Sequence, residues 1–99
     1  MVGRPSLDRL HWDDWNRDHI AKHAVLPEEV EEVIAGLPTV SETYKQRLQL
    51  VGATFAGRML SIVIGAVPGQ PSIYYVFSAR PASRKERAMY EQSKGGSFP

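Results

Sequence analysis

Apolar residues recur with one period before Pro38 and with another after it. Before Pro38 the spacing is helical. Asp13 follows Trp12 and suits an N-cap, which predicts a first helix running to about Lys22 with Trp15 and Ile20 as its thin apolar content. A second helix is better marked. Pro27 suits a first-turn position, Glu28 and Glu29 favour the positive end of the helix dipole, and Gly36 and Pro38 act as stops. Val30, Val33, Ile34 and Leu37 form its apolar stripe.

After Pro38 the pattern alternates. Arg47-Leu48-Gln49-Leu50-Val51 switches polar with apolar and meets Gly52, while 58–64 and 73–79 are rich in Ile, Val, Tyr and Phe. Phe55-Ala56-Gly57 is a short connection and Pro68-Gly69 fits the centre of a type II turn, so the three strands are expected to form an antiparallel meander. Thr39 to Tyr44 offers a further edge strand. Ser83-Arg84-Lys85-Glu86 is a capping box and opens a third helix, to about Gln92. The expected fold is therefore α+β, with two N-terminal helices, a three- to four-stranded antiparallel sheet and a C-terminal helix.

A length of 99 residues predicts a single domain, with a core of about 9–94 and loose tails at 1–8 and 95–99, where Gly3, Pro5, Gly95, Gly96 and Pro99 break any pattern. Such a chain buries roughly two-thirds of its unfolded surface, enough for one modest core. Cysteine is absent, so disulfides contribute nothing to stability. No basic-then-apolar leader is visible, and the longest apolar stretch, Met59 to Pro68, is interrupted by Ser61 and Gly65 and is too short to span a membrane. A soluble cytoplasmic protein is expected. The net charge of +1 hides an asymmetry: Asp8 to Glu32 holds eight acids against three bases, whereas Arg80 to Lys94 holds five bases against two acids. The basic end suits phosphates.

Arg80 ends the 73–79 strand beside a helix N-terminus, where a guanidinium and backbone N–H groups can bind a phosphate; the competing reading pairs it with Glu86. Arg58 starts the preceding strand, and antiparallel pairing brings the start of one strand near the end of the other. The two guanidinium groups are therefore expected to converge, as a transferring phosphoryl group requires. His19 and His23 lie one helical turn apart with Lys22 beside the second, which suits His23 or Lys22 to general acid or base work. No third ligand stands at a recognisable metal spacing, so neither metal nor cofactor is expected. Trp12, Trp15, Tyr74, Tyr75 and Phe77 have rings that stack on bases, but so small a chain needs its aromatics mainly for burial.

Taken in order, Trp12-Asp13, Asn16, His19, Lys22-His23, Val25 and Glu28-Glu29-Val30, then Arg47, Gly52 and Gly57-Arg58, and finally Ser78-Ala79-Arg80, Ala82, Glu86-Arg87 and Tyr90 form a series. The series resembles the BrnT-type toxins of bacterial type II toxin–antitoxin systems over about residues 11 to 91. The resemblance implies a RelE-like ribonuclease fold and RNA cleavage that inhibits translation. It also implies a cognate antitoxin, with operator DNA bound only through that antitoxin and a homodimer or a heterotetramer as the assembly. Residue by residue it carries over Lys22, His23, Arg47, Arg58, Arg80, Glu86, Arg87 and Tyr90. In the mechanism it suggests, Lys22 or His23 moves the proton of an RNA 2′-hydroxyl and Arg58 and Arg80 stabilise charge. Arg47, Arg84, Lys85, Arg87 and Tyr90 would hold the RNA. Two positions depart from the family pattern: Ala24 stands where Lys-His is usually followed by glycine, and Tyr75 where many members carry arginine. They support a rival reading, a non-catalytic binding module of the same fold, either a degenerate toxin or a regulator that engages antitoxin or nucleic acid.

Overall fold

The computed structural model of the protein describes residues 9–94, with the side chains of Pro71 and Lys94 excepted. The tails expected at 1–8 and 95–99 lie outside the described residues. The elements follow the order β1 (Arg9–His11), α1 (Asp14–Ala21), α2 (Pro27–Ala35), β2 (Thr39–Thr43), β3 (Arg47–Ala53), β4 (Met59–Val67), β5 (Gln70–Pro81) and α3 (Arg84–Lys94).

Each helix forms where its cap is encoded. The Asp13 carboxylate accepts from Asn16 N at 3.0 Å, and the Asn16 side chain accepts from Asp13 N at 2.9 Å while donating to the His11 carbonyl at 2.8 Å. Reciprocal bonds of this kind satisfy backbone donors that the first turn leaves without partners. The turn that ends α1 passes through Ala24, whose φ of +57° is left-handed. Val25 N closes on the Ile20 carbonyl and Ala24 N on that of Ala21, the turn that glycine usually makes. Pro27 opens α2, and Glu29 reaches back to Leu26 N at 3.0 Å.

The expectation of two leading helices and three to four antiparallel strands is corrected. A strand precedes the helices, and the sheet is mixed and five-stranded, in the order β1-β5-β4-β3-β2. β1 pairs in parallel with β5, Arg9 facing Ile73 and His11 facing Tyr75, while every other pairing is antiparallel. Three residues are too few to show an alternating pattern, and of these only Leu10 packs against the core. What holds β1 is an edge of β5, distant in sequence, for which local pattern has no signal.

The strands' alternation sorts side chains to two faces. On one, Leu50, Leu60, Ile62, Ile64, Val76 and Ala79 are buried against Ile20, Val25, Val30 and Val33 of α1, α2 and their connection. Each Val, Leu or Ile side chain among them contributes roughly 1.5–3 kcal/mol on burial. Gly52 permits the close approach of this layer, because a Cβ there would sit 3.0 Å from Pro38 Cβ and 3.1 Å from Val33. The opposite face carries Arg47, Gln49 and Val51 of β3, Ser61, Val63 and Gly65 of β4, and Ser78 and Arg80 of β5. α3 lies over only part of it, contacting β3. Among the described residues no helix is long and apolar enough to cross a membrane.

Candidate nucleic-acid interface

Under the start of α3, Arg80 donates to both oxygens of Glu86, at 2.9 and 2.8 Å. The same carboxylate accepts from Gln49 at 2.9 Å and from Ser83 N at 2.8 Å, and the Ser83 hydroxyl accepts from Glu86 N, completing the encoded capping box. Gln49 donates in turn to the buried Ser61 hydroxyl at 2.9 Å. Arg80 first, and then Ser83, hold the Glu86 carboxyl down to about 2, and the carboxylate raises the Arg80 pKa further. Arg80 is thus neutralised in place.

Arg58 is engaged elsewhere. Its guanidinium donates to the Ala24 carbonyl at 2.6 Å, to Glu29 at 3.0 Å and to the His23 carbonyl at 3.2 Å, so it clasps the turn between α1 and α2. Those partners belong to the layer on the aliphatic face, whereas Glu86 lies on the other. The expected convergence of Arg58 and Arg80 is therefore overturned. Proximity of strand ends was the basis for it, but Arg58 precedes β4 and turns toward the helices, while Arg80 shares a face with its cross-strand neighbour Ser61.

The rest of the α3 face is open, and there the cations pair with no carboxylate among the described residues. Arg47 lies on the Phe77 ring, 3.6 Å from its centroid, and 5.9 Å from that of Tyr44. Phe77 can lie flat because Gly65 is beneath it; a Cβ at Gly65 would come within 2.8 Å of the ring. A register shift between Val63 and Ile64 turns the strand at this point. Tyr44 is set by the tight β2–β3 connection, in which Lys45 and Gln46 both take φ of +60°, and Lys45 also lies near its ring.

α1 packs against β5, buries Asn16 and Ile20, and presents Trp15 and His19 on another side. Indole and imidazole stack, 4.8 Å apart and 9° from parallel, and His23 meets His19 edge-on at 6.3 Å. Tyr75 ties α1 to the sheet: its hydroxyl donates to the Asp13 carboxylate, 3.0 and 3.1 Å from the two oxygens, and its ring packs edge-on against Phe77. Burial and then Asp13 raise the Tyr75 pKa; the Asn16 N–H, assisted by Tyr75, lowers that of Asp13. Trp15, His19, Tyr44, Arg47, Val63, Phe77 and Ser78 together line an open cleft of about 450 Å³. Trp15 and Tyr44 are 55% and 68% exposed, against the expectation that large aromatics serve the core, which Trp12 and Tyr74 do meet.

Of the residues expected to act, Arg47 lines this cleft, and Lys22 and His23 are exposed at the C-terminal end of α1. Arg84, Lys85 and Arg87 are exposed on α3, where Tyr90 is half-buried, and none of the four lines the cleft. Tyr44 and Trp15 were recoverable from sequence only weakly: Trp15 neighbours a cap rather than an apolar stripe, and Tyr44 sits between two strands. Among the described residues no group of three or more metal-ligating side chains comes together. No family model and no curated protein matches the chain.

Proposed function

We propose that this protein binds single-stranded RNA across the open half of the α3 face and cleaves it as a metal-independent endoribonuclease, a cytoplasmic toxin restrained by a cognate antitoxin. The observation that carries the reading is the cleft itself: exposed aromatic rings beside a guanidinium that no carboxylate among the described residues neutralises. Stacking platforms combined with unpaired cations suit unstacked bases and their phosphates. His19 in the cleft wall and His23 against it add imidazoles able to give and take protons. The antitoxin, a heterotetramer with it, and operator contact through it rest on the resemblance to BrnT-type toxins alone.

The rival reading, a non-catalytic binding module, is favoured by one arrangement. Arg58 and Arg80, the cations expected to stabilise a transition state, are each held by a glutamate. Purified protein free of any partner, incubated with end-labelled single-stranded RNA in EDTA, separates the two. The nuclease reading expects fragments and a loss of binding as salt rises. RNA that binds and stays whole selects the binding module, and RNA that does not bind removes the nuclease reading and leaves only a module that engages a protein partner.

A further inference from the structure

We infer that His19 and His23 are the proton-transfer pair of this site, His19 as general base and His23 as general acid; the inference rests on the ribonuclease reading above. Four observations point to them. His19 lines the cleft beside Arg47, so a phosphate drawn to that guanidinium arrives next to the ring. Stacking on Trp15 fixes the plane of His19. Among the described residues neither imidazole makes a hydrogen bond, which leaves the ring nitrogens available to a substrate. The two rings meet edge-on with centroids 6.3 Å apart, so two proton-carrying groups stand side by side at one end of α1.

The pairing matters chemically. In an in-line displacement the attacking and leaving oxygens lie on opposite sides of phosphorus, so the step uses a base for one oxygen and a separate acid for the other. Neutral His19 takes the proton of the 2′-hydroxyl as that oxygen bonds to phosphorus. The P–O5′ bond breaks, and the departing 5′-oxygen receives a proton from the His23 imidazolium. The products are a 2′,3′-cyclic phosphate and a 5′-hydroxyl. His19 leaves the step protonated and His23 neutral, and one proton exchanged with water at each ring resets the pair. His23 is the more exposed of the two, as an acid replenished from solvent requires. Arg47 faces the charge that builds on the phosphoryl oxygens. Arg58 is then a positioning residue, because it grips the carbonyls of His23 and Ala24 and so sets where the His23 ring lies.

The test compares wild type, His19→Ala, His19→Gln and His23→Ala, with Met89→Ala on exposed α3 as the unchanged reference. Cleavage of end-labelled single-stranded RNA in EDTA is read beside RNA affinity, thermal melting and the chemistry of the fragment ends. The expected result is a loss of cleavage on the order of 10²- to 10⁴-fold for each His→Ala variant. RNA affinity stays within about threefold, fragments end in 2′,3′-cyclic phosphate, and imidazole added to the buffer restores part of the His19→Ala activity. His19→Gln, which retains a planar group against Trp15, should melt like wild type and still fail to cleave. Cleavage by His19→Ala at the wild-type rate overturns this inference and leaves the nuclease reading standing. So does a parallel loss of binding and cleavage that imidazole does not rescue, since His19 would then only support Trp15. A wild type that binds RNA without cutting it overturns the inference and the nuclease reading together.

Discussion

Under α3 the Arg80 guanidinium meets a carboxylate at 2.8 and 2.9 Å, while farther along the same sheet face the Arg47 guanidinium meets a benzene ring at 3.6 Å. In the first region the Arg80 charge has an opposite partner, and Glu86 alone joins Arg80, Gln49, Ser61 and the first turn of α3. In the second, cations rest on rings, aromatics face solvent and the backbone enters φ of +60° at two consecutive non-glycine residues. The contrast separates structural cations from ligand-binding ones. A guanidinium already bonded at both nitrogens to Glu86 must break that pair to take a phosphate, whereas one lying on a ring keeps its outward donors free.

The largest expected effect breaks the covered half. Glu86→Ala removes the partner of Arg80 and the N3 half of the capping box, and should destabilise the fold by roughly 2–3 kcal/mol in a urea melt. Arg80 keeps 42% side-chain exposure, which holds the loss below that of a fully buried pair. Because the folded pKa of Glu86 is depressed to about 2, its contribution is complete above the ordinary carboxylate range and disappears as pH falls through that range toward 2. Glu86→Gln should flatten this part of the acid-side stability curve. An unchanged curve in Glu86→Gln would assign the acid dependence to other carboxylates.

The next effect divides the two halves by ligand instead of stability. Arg47→Ala should weaken single-stranded RNA binding about tenfold and lower the salt slope by about one, while Arg80→Ala changes affinity by less than about twofold and lowers the melting temperature. Fluorescence anisotropy with a labelled RNA at several salt concentrations measures both. A larger affinity loss for Arg80→Ala would move the RNA under α3 and invert the comparison.

The covered half was the more legible in sequence, for a physical reason. Ser83 and Glu86 act over one helical turn, as do Asp13 with Asn16 and Pro27 with the start of α2, so their signals lie within a few residues. The three longer strands were readable from alternation, although each extends further than its apolar run, β5 reaching from Gln70 to Pro81. β1 was not readable, because three residues carry no period and their partner is remote. The cleft was only partly readable. Arg47 and the His19–His23 spacing are local, but Phe77 reaches Arg47 through a register shift and a glycine on another strand, and Trp15 reaches the face through a bond between Tyr75 and Asp13. Arg58 and Arg80 show the limit most plainly. Pairing direction places strand ends together, yet which face each side chain takes decides whether two charges can meet.

The smallest effect sharpens the comparison from the side of the backbone. Lys45 and Gln46 occupy a left-handed conformation that an L-residue adopts at a cost of roughly 1–2 kcal/mol, and Arg47 N closes this turn on the Tyr44 carbonyl. Gln46→Gly removes the steric part of that cost and adds some unfolded-state entropy, so the net gain should be about 0.5–1 kcal/mol in the same urea melt. The side chain of Gln46 does not line the cleft, and RNA affinity should stay within about twofold. A gain in stability accompanied by weaker RNA binding would show that the strained turn holds Tyr44 in place for the ligand, so that the open half keeps its strain as part of its binding geometry. No gain at all would mean that the tight connection is already relaxed, and that the two halves differ in their charges and rings alone.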